Sequence, residues 1–404
     1  MFRVTEPVTS VSRRSLLMGG AAFFAMSAAG PAFAGSVSSF VDGVWKDAKA
    51  RGVSRKTFDA AMGDFKPIPK VIELSQKQPE FVATAADYVI KRVTDKQTGT
   101  GQAMSGEWAQ TLAKVSSTWG VQPEAVLAIW GIETNFGGYM GGINSVHALA
   151  TLTHAGYRPD YFRSELLTSL QIVQQGHVSV GKMVGSWAGA MGHPQFMPSS
   201  FMRYAVDFRG DGHKDIWNSV PDAMASTANY LKSFGWRSGE TWGYEVKLPN
   251  GFDYSNVWSQ TEATLGQWKD AGVVRANGKA FPRASDNARI YMPMGGHGPV
   301  FAILANFGVI KRYNNSDSYA LAVGHLADRI LGSKGFSQPW PDDTALNKSQ
   351  RTELQGMLLR KGYQIGSPDG VLGPKTRAAV IDWQGRAGLL PDGHVSGRLL
   401  KALS

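Results

Sequence analysis

The sequence predicts a mainly α-helical protein: a helical main domain carrying a small inserted lobe with some β structure, then a small three-helix domain at the C-terminus. Three observations lead there. Apolar residues recur at three- and four-residue spacing through most of residues 38–235. Between 236 and 300 the pattern turns to alternation, and Gly and Asn become frequent. A Pro-containing polar break, Phe336-Ser337-Gln338-Pro339-Trp340-Pro341-Asp342-Asp343, then separates off a compact tail.

Taken in order, the helical spacing covers Phe40–Ala50, Glu80–Val93, Glu107–Trp119, Pro123–Thr134, Tyr161–Gln174 and Pro221–Phe234. Pro123 suits the first turn of its helix, where a missing N–H costs nothing. Trp242–Leu248 alternates as a strand, and helical spacing returns at Val300–Phe307 and Tyr319–Leu331. The domains expected are 1–34 as an export signal, 35–335 as the main domain, 336–345 as a linker and 346–404 as the tail.

The chain has 404 residues, no cysteine, and 42 Lys+Arg against 32 Asp+Glu. Zero Cys excludes a disulfide scaffold, a thiolate zinc site, a cysteine nucleophile and a lipid-anchored Cys. At the N-terminus, Arg3, Arg13 and Arg14 precede the apolar run Leu16–Ala29, which ends in Ala32-Phe33-Ala34. That is a basic region, a hydrophobic region and an A-x-A cleavage site, and Ser12-Arg13-Arg14-Ser15-Leu16-Leu17 has the twin-arginine form. The run is shorter than the ~20 residues a membrane span needs. A soluble, exported, periplasmic protein that is not a lipoprotein is expected, beginning near Gly35. Removal of three Arg and one Glu lowers the net charge from +10 to +8. Such a chain is drawn to anionic envelope polymers. It carries no Lys/Arg-dense stripe or nucleic-acid motif, so nucleic acid is not an expected partner.

The tail contains Leu354-Gln355-Gly356-Met357-Leu358-Leu359-Arg360-Lys361-Gly362-Tyr363, a helix closed by Gly, then Pro368-Asp369-Gly370 and Pro391-Asp392-Gly393 turns that each lead toward a helix. This pattern resembles the peptidoglycan-binding domain appended to many bacterial wall enzymes. Each Gly and Asp, taken singly, is a turn former. The resemblance assigns glycan tethering to the module as a whole.

In the main domain, Val126, Ile129, Trp130 and Glu133 share a helix face, so Glu133 is an acid continuing an apolar stripe. Apolar neighbours and the negative end of the helix dipole both push such a carboxyl toward its protonated form. A carboxyl protonated near neutral pH is what a glycosidic general acid requires. A Glu in that last turn could equally face solvent or bond a neighbouring helix. Glu165 is the rival acid, and its spacing from Leu166 and Leu167 fits a helix edge, where it would have no chemical role. His147, His154, His193 and His213 lack metal-ligand spacing.

Gly185-Ser186-Trp187-Ala188-Gly189-Ala190-Met191-Gly192-His193-Pro194-Gln195-Phe196 combines small residues with spaced polar groups, which suits close approach to a sugar. Together with Gly131-Ile132-Glu133-Thr134-Asn135-Phe136-Gly137, Tyr161-Phe162-Arg163, Tyr204-Ala205-Val206-Asp207-Phe208, Ala228-Asn229-Tyr230 and Arg312-Tyr313-Asn314, it resembles the lytic murein transglycosylase B family over nearly all of 38–335. The resemblance implies a lysozyme-like helical fold. It also implies a water-free cleavage of peptidoglycan glycan strands to 1,6-anhydro ends, with Glu133 as acid and then base. It places Ser186, Gln195 and Asn314 as polar sugar contacts, and Tyr88, Tyr230, Tyr313 and Tyr319 as aromatic cleft positions. Other cell-wall enzymes are the candidate protein partners, and no cofactor is required. A hydrolytic muramidase and a non-catalytic wall-binding scaffold remain as alternatives.

One further loop, Asp207–Asn218, follows an EF-hand register, with Asp207, Asp211 and Asp215 at positions 1, 5 and 9. Arg209 occupies ligand position 3, and Asn218 stands where a bidentate Glu belongs. Weak calcium binding, or none, is the expectation.

Overall fold

The computed structural model describes residues 35–76 and 83–404. The expected export signal, and residues 80–82 at the start of one expected helix, lie outside the described residues. That helix is described as Ala85–Arg92, with a Thr84/Asp87 capping box. Among the described residues no helix is long and apolar enough to cross a membrane.

The fold is built around the helix Pro123–Thr134. Periodicity suggested one apolar face, but Ala125 to Ile132 are all buried, as a helix apolar on every side must be. Around it pack Asp95–Glu107, Ala109–Trp119, Val220–Ser233 and Asp317–Ile330. The expected single helix over 107–119 is interrupted at Trp108, which both ends Asp95–Glu107 and begins Ala109–Trp119. Asp95–Glu107 itself, DKQTGTGQAMSGE, has almost no apolar spacing and was not anticipated. It is held by the Thr94 cap and by close contacts such as Gly101, where a Cβ would stand 2.7 Å from Ile330.

The inserted lobe is a five-stranded antiparallel sheet in the order Glu262–Thr264, Asn287–Tyr291, Val300–Ile303, Gly243–Lys247, Val274–Arg275. Val300–Phe307 was expected to be helical. Val300–Ile303 is instead the central strand, and the helix starts only at Ala305. All four strand residues are buried, so neither alternation nor helical spacing distinguishes them.

The tail comprises helices Lys348–Arg360, Pro374–Arg386 and Gly397–Leu403 around their own core of Leu354, Leu358, Val380 and Leu399. One device is used twice in it. Gln355 Oε1 accepts from Gly370 N–H while its amide donates to Asp369. Gln384 does the same with Gly393 and Asp392. Gly370 and Gly393 both have φ near +70°, a conformation that favours glycine. These residues therefore build turns.

The segment expected as a linker is packed on both sides. Glu245 accepts from Ser337 and Gln338 N–H, Phe336 stacks on His325 at 3.9 Å, and Asp343 accepts from Arg398 N–H. The tail also docks on the lobe. Trp258 Nε1 donates to the Asp392 carbonyl at 2.7 Å, Arg377 lies 3.8 Å over the Trp258 ring, and Gly296 N–H donates to the Asp392 carboxylate. A buried indole bond and a cation–π contact are each worth about 1 kcal/mol. Trp258→Ala is therefore expected to loosen the tail without unfolding either part. Limited proteolysis should then cut faster within 336–345, and scattering should show a larger radius of gyration; an unchanged digestion rate and radius would contradict the docking.

Candidate active site

Glu133 sits on the last turn of the central helix, and the chain leaves that turn through three successive left-handed residues, Asn135, Phe136 and Gly137 (φ 51°, 56° and 81°). This costs energy for Phe136. The turn is held by packing: Phe136 fills the space beside Gly131, where a Cβ would stand 2.7 Å from its ring, and Gly137 abuts the His193 ring, 2.4 Å from where its Cβ would be. His193 also accepts from Trp130 Nε1 at 3.0 Å, and its carbonyl accepts from Thr134 Oγ1. Burial keeps its ring below the usual imidazole range, hence neutral at the pH where Nδ1 must accept. His193, set aside as ordinary from its spacing, is thus a brace for the helix end that carries Glu133.

Burial pushes the Glu133 carboxyl up to about 7, against two opposing influences: a hydrogen bond from Tyr319 and the positive charge of Arg92. Tyr319 Oη donates to Glu133 Oε1 at 2.7 Å. Tyr319 is only 1% exposed, and its phenol is held well above its ordinary value by burial and by Glu133, so it stays a donor. Its position differs from that of a cleft wall: its contribution is the hydroxyl. Its ring stacks parallel to Tyr313 at 6.5 Å. Tyr313 in turn packs on Tyr230 at 4.7 Å and donates to the Pro194 carbonyl. Tyr230, 8% exposed, donates to the Arg312 carbonyl and lies in the layer beneath rather than at a surface. Tyr88 is half-buried; burial, with a smaller push from the Glu133 charge, raises its phenol against the Arg92 guanidinium, which lies 4.7 Å over its ring.

The polar positions come in by way of the small-residue loop. Ser186 Oγ accepts from the Ala188 and Ala190 N–H groups and so shapes the loop, with its hydroxyl proton left to donate. Gly185 is packed too closely for a side chain: a Cβ there would stand 2.0 Å from the Ala190 carbonyl oxygen. Gln195, itself left-handed at φ 50°, donates to the carbonyls of Met140 and Gly192, tying this loop to the segment just after Glu133. Asn314 follows Tyr313 at the end of the helix Ala305–Tyr313 and is exposed. The structure thus joins Glu133, Tyr319, Tyr313, Tyr230 and Tyr88 in one cluster, with Gln195 and Ser186 on the loop that receives the Tyr313 hydroxyl.

Glu165, the rival acid, is 3% exposed, and both its oxygens accept from Ser199, one from N–H and one from Oγ. It is thus held against the first turn of the helix Pro198–Tyr204, a structural position. Arg92 was missed, although its i, i+4 spacing from Tyr88 could have flagged it.

In the loop Asp207–Asn218, Asp207 accepts from the N–H groups of Gly210, Asp211 and Gly212, Arg209 pairs with Asp211, and Asp215 accepts from Trp217 and Asn218. The carboxylates are spent on the loop itself, and the Arg209 cation occupies a ligand position. Among the described residues there is no group of three or more acidic, His or Cys side chains able to hold a metal.

The hydrogen bond from Tyr319 favours the ionised form of Glu133, so removing it must raise the carboxyl's value. Tyr319→Phe is expected to move the Glu133 titration above about 7. Carbon-13 NMR of labelled glutamate side chains across pH 4 to 10 would read it, and a titration moving downward would refute the bond's sign.

Three comparisons bear on this geometry. Residues 36–328 match the transglycosylase SLT domain family, and 347–403 match a peptidoglycan-binding domain family. Over 310 residues the chain is 31% identical to the membrane-bound lytic murein transglycosylase B of Escherichia coli K12, covering 73% of this chain and 82% of the relative. The solved structure of SltB3 from Pseudomonas aeruginosa, in complex with NAG-anhNAM-pentapeptide, is 42% identical, with a TM-score of 0.85 over 91% of this chain and 99% of that one. Escherichia coli Slt35, solved in complex with calcium, is 32% identical with a TM-score of 0.60, covering 73% of this chain and 92% of that one.

Proposed function

Because the chain belongs to the transglycosylase SLT domain family and is a peptidoglycan lytic transglycosylase, we propose that Glu133 is its single catalytic group. The observation that carries this reading is the Glu133 carboxyl at the end of the buried central helix, accepting from the Tyr319 hydroxyl at 2.7 Å, with burial pushing it up to about 7. Raised in this way, the group still holds a proton near neutral pH, and gives it to the oxygen linking N-acetylmuramic acid to N-acetylglucosamine. The 2-acetamido group of the muramic acid assists at C1 as the glycosidic bond breaks. Glu133, now a carboxylate stabilised by Tyr319 and Arg92, takes the proton from the C6 hydroxyl, whose oxygen closes on C1 to give the 1,6-anhydro ring. One carboxyl serves both steps, so no second acid is needed. A relative solved with an anhydro-sugar product supports the same outcome here.

Ser186, Gln195 and Asn314 are assigned to hold the sugars beside the broken bond. Tyr88 and Tyr313, partly open to the site, are the candidate ring platforms. Tyr230 and Tyr319 set the position of the others from below. The tail is read as a glycan-binding module, and the N-terminal segment as an export signal to the periplasm, where the substrate lies.

Glu133→Gln is expected to lose lysis of purified sacculi by at least about a hundredfold, the lower end for a lost general acid, while still sedimenting with them. The wild-type products should be lighter by one water than the corresponding reducing-end fragments in mass spectrometry. Reducing ends would favour hydrolysis, and unchanged turnover in the variant would remove Glu133 from the mechanism.

For calcium, the reading is that the Asp207–Asn218 loop is closed by Arg209 in place of an ion. Millimolar calcium should then leave the melting temperature unchanged relative to chelator, and a rise of several degrees would overturn this.

A further inference from the structure

The helices Pro123–Thr134 and Asp317–Ile330 pack along each other, and they run antiparallel. Glu133 meets Tyr319 at one end. Nine residues back on the first helix is Glu124, and nine residues on along the second is Asp328, which feels the Glu124 charge. This second acidic end is about 14 Å from the first at 1.5 Å per residue. It has no part in the mechanism above.

Burial pushes Asp328 up to about 7, with the Glu124 charge adding to it and the Trp242 hydrogen bond and Arg275 opposing. Burial also raises Glu124. Trp242 Nε1 donates to Asp328 Oδ2 at 3.1 Å. Asp328 lines a cavity of about 630 Å³, within the size range of small-molecule sites. Trp242 and His325 form its buried back, while Lys279 and Lys334 stand exposed at its edge and Arg275 is held over the Tyr244 ring at 4.6 Å. The cavity wall is fixed: Phe336 stacks on His325, and Glu245 pins the backbone of Ser337 and Gln338.

A ligand of one sign meets an unfavourable partner in this layout, since acid lies inside and base lies at the edge. A ligand with an ammonium and a carboxylate on one carbon meets both favourably. We propose that this cavity binds the zwitterionic head group of an α-amino acid, with its ammonium toward Asp328 and its carboxylate toward Lys279 and Lys334. Two sources share that chemistry: the free amine-and-carboxylate end of a diamino acid in a wall stem peptide, and a free amino acid. The stem peptide is favoured because the enzyme works on peptidoglycan, and this choice of source rests on the proposed function.

The test is calorimetric titration of the full chain with 2,6-diaminopimelate, and with a tripeptide carrying that residue with one end free. Their N-acetylated and carboxamide derivatives complete the set. Binding at one equivalent is expected, weakened at least tenfold by acetylation, by amidation, by Asp328→Asn, and by Lys279→Ala with Lys334→Ala. The lysine variants lie on the surface and should cleave short glycans at the wild-type rate, so that a failure of the catalytic reading is seen separately. Equal binding of the acetylated probe, or unaltered binding by the double lysine variant, overturns the site. Tighter binding of the free amino acid than of the tripeptide overturns the stem peptide as its source.

Discussion

A carboxyl group at the end of a helix that is apolar on every side ionises only against the loss of its hydration and against the negative end of the helix dipole. That cost, offset by one phenol and one distant guanidinium, is the condition from which the rest of the site follows. The buried helix Pro123–Thr134 denies Glu133 water. The left-handed turn through Asn135, Phe136 and Gly137 ends the helix just after Glu133 and Thr134. Trp130, His193 and the glycines at 131 and 137 leave that turn no room to relax.

Tyr319 gives the arrangement its two-state character. A donor that cannot itself ionise at neutral pH favours the carboxylate form of Glu133, and burial favours the protonated form. An acid with only one of these influences would be fixed in one form. With both present, the carboxyl is held up to about 7 rather than at the ordinary carboxylate value.

The central helix was legible in the sequence because apolar spacing and a closing Gly mark a helix end whatever its surroundings, whereas Glu133 was singled out by the family resemblance and not by its spacing. Val300–Ile303 was misread because a strand buried on both faces carries no alternation. The Glu133–Tyr319 bond spans 186 positions and leaves no local trace. The spacing of His193 spoke only against metal binding and said nothing of its brace against Trp130. The docking of the tail on Trp258 was equally invisible, since a Pro-rich stretch reads as a connector whether or not its residues find partners. Here Glu245, Phe301 and His325 supply those partners.

The paired Gln–Asp–Gly turns of the tail are alike in form and unequal in duty. Asp369 braces its own loop through Gln355 and Val371. Asp392 does the same through Gln384 and His394, and also reaches the sheet lobe at Gly296. One of two twin carboxylates therefore answers to a neighbouring domain as well as to its own. Drift at that position is penalised twice, whereas its twin can wander as far as its own loop allows.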